Sequence, residues 1–357
     1  MNNTSWKDQM RILAITTMRN EAPFLLEWIA YHQHIGVTDF LIYTNDCDDG
    51  TDVLLDRLAE LGVVHHERNH SGGKKAVQWR ALTKAQRHPV FAQADWIFVA
   101  DVDEFLNIHA GAGKITDLMA AVPHADGFAI AWRMFGNAGI LGFEDEPILE
   151  QFTKAAPEAL LWPWRAVQYK SLYRQDPRYQ KLGVHRPKVV NQSDNGHWVD
   201  GNGAPLPDNP NVFQYTTGPR YGLAQINHYA LGAMESFLVK IARGKPNHTS
   251  DPIDLTYWSD RNFAQVDDQT ILRHRPHVAE RIATLKADIE VNRLHLAGVE
   301  WRTARIRALL QTVEGHSMVA RLRQMAPTQV LAMADQDRLL RELMKIKAKE
   351  RAQGTKS

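Results

Sequence analysis

Apolar residues first cluster over residues 11–17 (RILAITT), a short run with the length and content of a buried strand. The segment after it, 22–35 (APFLLEWIAYHQHI), spaces Phe24, Leu25, Trp28, Ile29 and Ile35 on one broad helical face. Pro23 suits its first turn and Gly36 stops it. A strand is then expected at 39–45, a helix at 51–62 ending at a glycine, a strand at 63–68, a helix at 74–87 and a strand at 96–100. Short apolar strands alternating with helices predict an α/β fold with a parallel sheet covered on both faces. Ligands of such sheets lie beyond the carboxyl ends of the strands.

Each expected strand is followed by a polar cluster. These are Thr16–Glu21, Asn45–Thr51, Asn69–Lys74 and Asp101–Glu104, and the parallel sheet would gather them along one edge. Beyond residue 125 the pattern loosens. A strand is expected at 128–136 and a strand followed by a helix at 226–243, whereas 190–222 is rich in turn-forming residues and reads as either an active-site loop or a surface excursion. From about 268 onward the chain reads as helices. Three regions follow: 1–125 as the nucleotide-binding half, 126–268 as the acceptor-side half, and 269–357 as a helical C-terminal region.

Composition changes this picture little. With 357 residues, 44% hydrophobic, 23% charged and a net charge of +1, the chain is ordinary for a globular protein and carries no global field for nucleic acid. The one skew is terminal: residues 301–357 hold twelve Lys or Arg against five Asp or Glu, which suits a solvated helix or an anionic membrane surface. Cys47 is the single cysteine, so neither an intramolecular disulfide nor a cysteine zinc cluster can form. No apolar leader or spanning segment is evident. The expected place is the cytoplasm, at most peripheral to the inner face of a membrane.

Asp-x-Asp occurs three times, at 46/48, 101/103 and 335/337, so the tripeptide means little by itself. Position distinguishes Asp101-Val102-Asp103, which closes a fully apolar strand at the ligand edge. Two carboxylates there suit a hard divalent cation that keeps positions open for phosphate oxygens. The plainer alternative is a polar turn with Asp103 capping a following helix. A phosphatase of the Asp-x-Asp type would place the motif near the start of its domain, and here three strand–helix units precede it.

At these residues the chain resembles a GT-A glycosyltransferase of the family 2-like group, a bacterial set with a DVDEF motif. The carriers are Arg19-Asn20-Glu21, Glu27-Trp28, Tyr31-His32, Asn45-Asp46, Asp49-Gly50-Thr51 and Asp101–Phe105. Weaker ones follow at Gly183-Val184-His185, Asn227-His228-Tyr229, Ser236-Phe237, Lys240 and Arg243-Gly244. The resemblance spans roughly residues 10–295. It implies a GT-A sheet with a helical C-terminal extension. It also implies a UDP- or GDP-linked sugar donor, a glycan or lipid-linked acceptor, and Mn or Mg on the acidic motif, usually in cell-surface or exopolysaccharide synthesis.

Carried onto this sequence, the donor falls to Thr17, Arg19 and Glu21, to Asp46 or Asp49, and to Asp101. Lys74 or Lys75 at a helix start would meet the diphosphate. The metal falls to Asp101, Asp103 and His228, with His185 as a phosphate or acceptor contact. Inversion at the anomeric carbon needs a base. Asp268, with Asp267 beside it, is the expected candidate, and Asp194 and Asp200 compete. Trp198, Tyr257 and Trp258 are candidate sugar-stacking rings.

Two other classes are weighed against this reading. A sugar nucleotidyltransferase carries an early glycine-rich loop, which TTMRNEAP lacks. A non-catalytic carbohydrate-binding module would have no need of paired acidic ligands.

Overall fold

A computed structural model describes residues 10–72, 76–191, 196–206, 217–244 and 253–352. The first strands are β1 (Ile12–Met18), β2 (Asp39–Thr44), β3 (His65–Arg68) and β4 (Trp96–Val99), followed by β5 (Glu104–Ile108) and β6 (Gly127–Met134). Then come β7 (Lys154–Ala155), β8 (Tyr169–Arg174), β9 (Tyr179–Lys181), β10 (Lys188–Val189), β11 (Trp198–Asp200), β12 (Ala224–His228) and β13 (Val266–Asp267). The main sheet runs β3-β2-β1-β4-β8-β6-β12-β5, with β11 also paired to β6. β1 to β4 form its parallel half, and β8 is antiparallel to both its neighbours.

The parallel half is buried on both faces, which is why β1 reads as continuous apolar sequence. Alternate residues go to opposite sides. Ile12 and Ala14 pack with Trp28, Leu54 and Leu55 of the Ala22–Ile35 and Thr51–Glu60 helices. Leu13 and Ile15 pack with Ala81, Leu82 and Ala85 of the Val77–Ala85 helix. The first long helix starts and stops as its sequence predicts, with Pro23 in its first turn and Gly36 in the left-handed conformation (φ 119°) at its C-terminus.

Four elements correct the sequence reading. The segment after Asp103 is a strand, β5, rather than a helix or an extended polar cluster, and its first residue Glu104 is fully buried. β8 was not expected, because Lys170 sits within it. Trp198 lies in β11 and Trp258 in the Leu255–Ser259 helix. Both are buried in the core and neither is in a loop.

The C-terminal region is helical as expected, with helices at Arg275–Lys286, Ile289–Leu310, Val313–Gln324 and Met333–Ala352. The Ile289–Leu310 helix packs on the Ala22–Ile35, Thr51–Glu60 and Met234–Arg243 helices. A Cβ on its Gly298 would stand 2.4 Å from the Cβ of Ala22, so only glycine permits this approach. Among the described residues no helix is long and apolar enough to cross a membrane.

Candidate functional site

β1 and β4 run parallel and end on the same edge, where the turn Ala100–Asp103 leads directly into β5. β12 returns antiparallel to β5 in a register that sets His228 opposite Glu104. That pairing brings a histidine from the far end of the sequence beside the acidic turn. Asp103, Glu104 and His228 each offer a ligand atom, and these atoms lie within 4.8 Å of one another.

The charges are partly compensated within the protein. Lys170, fully buried on β8, stands 3.0 Å from Asp101 Oδ2 and 3.0 Å from Glu104 Oε2. Lys240 donates to Asp103 Oδ2 at 2.8 Å and to the Ala230 carbonyl at 2.7 Å. Burial pushes the Asp103 carboxyl up, but Lys240 and His228 outweigh it and hold it well below the usual range. Burial pushes Glu104 up to about 8 and His228 down to about 3. The imidazole is therefore neutral at ordinary pH, the form that binds metal.

Two buried atoms of this trio, Glu104 Oε1 and His228 Nδ1, have no hydrogen-bond partner among the described residues. Such atoms are costly unless something satisfies them. Two carboxyl groups and an imidazole form a donor set suited to a divalent cation, which would displace the proton that burial keeps on Glu104, so the residues present fit one.

The trio opens into a cleft of about 270 Å³. Its walls include Thr17, Arg19 and Glu21 after β1, Asn45 after β2, Asp101 and Asp103 after β4, and Lys240 and Arg243 across from them. Trp132, Tyr257 and Arg261 complete it, the Arg261 guanidinium lying 3.7 Å above the Tyr257 ring.

The other expected residues are distributed unevenly. Asp46 accepts from the Ser71 amide, and its backbone carbonyl receives Arg19 Nε at 3.1 Å. Asp49 is buried under the start of the first helix, accepting from the Ala22 amide and from Thr51, so it serves the turn. His185 borders the acidic cluster edge-on to Trp132, with its Nδ1 held 2.8 Å from the Tyr169 carbonyl and burial pushing it down to about 4. Lys74, Lys75 and Asp194 lie outside the described residues.

Asp268 does not line the cleft. Its Oδ2 meets Arg133 at 2.8 Å and Gln225 at 2.7 Å, and its Oδ1 takes both donors of Thr270. Asp267 is exposed beside Lys154, and Asp200 accepts from the amides of its own turn. The structure brings none of these three to the acidic turn.

Sequence reasoning missed Lys170 and left Glu104 without a role. The available signal was in YKSLYR, where a lone lysine shares the strand face of Leu172. A buried lysine there requires a buried carboxylate opposite.

The architecture is mixed α/β, a large mixed sheet flanked by helices, with further helices at the C-terminus. The model of the family described as Glycosyltransferase family 92 matches residues 12–234, more than half of the chain. The chain belongs to glycosyltransferase family 92.

A family 92 protein of Oryza sativa subsp. japonica is 25% identical over 257 residues, 70% of this chain and 38% of its own length. One of Ricinus communis is 23% identical over 66% of this chain and 38% of its own. This chain thus spans about two fifths of these relatives. Among solved structures, S. aureus TarS 1-349 aligns at 17% identity over 46% of this chain and 47% of its own, with a TM-score of 0.28. The same fragment in complex with UDP-GlcNAc gives 17% over 46% and 45%, with a TM-score of 0.27.

Proposed function

We propose that this chain is a glycosyltransferase that moves a hexosyl group from a UDP- or GDP-linked donor to a hydroxyl acceptor, with Mn or Mg at Asp103, Glu104 and His228. The carrying observation is the pair of unpartnered buried atoms, Glu104 Oε1 and His228 Nδ1, in a trio at the ligand edge of the sheet of a family 92 chain. In the family 2-like manner the transfer inverts. The acceptor oxygen bonds to the anomeric carbon, the bond from that carbon to the diphosphate oxygen breaks, and the hydroxyl proton goes to a base.

A bound cation would supply charge to the departing diphosphate. Thr17, Arg19, Glu21 and Asn45 receive the nucleoside side of the donor, since they line the cleft beyond β1 and β2. Lys240, Arg243 and Arg261 face the diphosphate from the opposite wall. Asp101 is kept from direct cation duty by Lys170 and Gln78, and it orders the turn through them. His185, edge-on to Trp132 of the cleft wall, is read as a phosphate or acceptor contact.

The test is the thermal midpoint with and without UDP or GDP, in Mn and in chelator. A nucleotide shift that needs Mn is expected in the wild type and is lost in Asp103→Ala and His228→Ala. The reading fails if neither nucleotide shifts the wild type.

A further inference from the structure

Beside the donor cleft lies a second, smaller cavity. The two meet at Glu21, Asp103, Lys240 and Arg243, which line both. Away from that shared wall the second cavity reaches towards Tyr229–Ala233 and the Met234–Arg243 helix.

Its chemistry differs from that of the cleft. Phe24, Phe143, Ile148, Phe152, Leu231 and Val239 supply an apolar interior. Apart from the exposed Glu144, the polar side chains in its wall are already engaged with protein. Asn20 exchanges hydrogen bonds with Asp48, Ser236 accepts from Arg302, and Gln151 donates to the Glu146 carbonyl. Glu21 pairs with Arg243 and Arg302, and Asp103 with Lys240. A bare sugar needs several convergent hydrogen-bond partners, and this wall has few to offer.

Charge narrows the ligand further. Lys240, Arg243 and Arg302 are matched by Glu21, Asp103 and Glu144, so the cavity carries no excess charge for an anionic body. Its single opening towards reactive chemistry is Asp103.

We infer that this cavity receives the uncharged apolar body, alkyl or aryl, of the acceptor, whose hydroxyl-bearing end reaches past Asp103 into the cleft. The inference rests on the transferase reading above and names the acceptor class of that site. It also places the specificity for that body on Phe143 and Leu231, which face the ligand without touching the donor side.

The test uses glucose and its butyl, hexyl and octyl β-glucosides below their micellar concentrations, titrated calorimetrically into protein saturated with UDP and Mn. The expected result is tightening of about fourfold per added methylene. Phe143→Ser is expected to cost the octyl glucoside about tenfold while keeping the UDP-induced thermal shift. Val53→Ser, an exposed apolar position elsewhere, controls for detergent-like adsorption and is expected to change nothing.

Glucose binding as tightly as its octyl glycoside overturns the inference, as does a chain-length slope that Phe143→Ser leaves intact. A flat series in protein that still shows the UDP shift overturns this inference alone. Loss of the UDP shift from the wild type overturns the transferase reading and the acceptor role with it.

Discussion

Lys170 Nζ stands 3.0 Å from Glu104 Oε2, and neither side chain is exposed to solvent. Burial alone would discharge both groups, lowering the lysine and raising the carboxyl. For Lys170 the neighbouring Asp101 and Glu104 outweigh burial, so the ammonium is kept and its pKa lies above the ordinary value. Replacing it with an apolar residue strands two carboxylates. Lys170→Met is expected to cost about 3 to 5 kcal/mol of folding stability, read by urea unfolding. The double variant Lys170→Met with Glu104→Gln should recover a large part of that loss.

Lys240 occupies the Asp103 carboxylate that a cation would also use. Removing a charge at such a distance changes the local potential by at least about 1 kcal/mol even under water-like screening. Lys240→Met should therefore bind Mn roughly fivefold or more tightly in calorimetry, while binding UDP more weakly in the presence of Mn. Unchanged Mn affinity would count against the competition.

Asp268 is expected to behave as a structural residue. Both of its oxygens are spoken for, and it forms a buried ion pair with Arg133. Asp268→Asn should lower stability by about 3 kcal/mol and leave donor hydrolysis per folded molecule within about twofold at a temperature well below its unfolding. Hydrolysis falling by orders of magnitude in folded protein would return Asp268 to the role of base.

Glu27 gives the protein a pH dependence remote from the acidic turn. Its carboxyl is buried beneath the Ile148 and Leu149 amides, 2.8 and 3.2 Å away, and burial pushes it up to about 8. The folded state therefore holds a proton that the unfolded chain has released above about pH 4.5. Stability from this group is complete below that pH and declines as pH rises through about 8. Glu27→Gln should flatten the fall in thermal midpoint between pH 5 and 8, and an unchanged slope would assign it to other groups.

The parallel half of the sheet was legible because β1, β2 and β4 are apolar on both faces, a pattern set by helices covering both sides. Asp101, Asp103 and His228 were expected together for a related reason, since strand ends in such sheets gather on one edge, and all three line one cleft. Glu104 and β8 were not. A charged residue inside a short apolar run reads as the end of a strand, and only the folded register shows that Glu104 and Lys170 meet at 3.0 Å.

Adjacent acids misled in the opposite direction. Asp267-Asp268 looked catalytic beside a helix start, but the arginine that claims Asp268 lies on β6, 135 residues earlier in the chain, where no local pattern reveals it.

Arg302 belongs to the C-terminal Ile289–Leu310 helix, beyond the last residue of the family match. It is buried, donating to the Asn20 carbonyl at 3.0 Å and to Ser236 at 2.7 Å, with its guanidinium over the Phe24 ring. Gly298, one turn earlier, rests against Ala22. The loop after β1 is therefore braced from outside the segment that the family shares. The support of the cleft does not end where the family match ends. Exchanging this helix between distant relatives would transplant part of the bracing of that loop along with it.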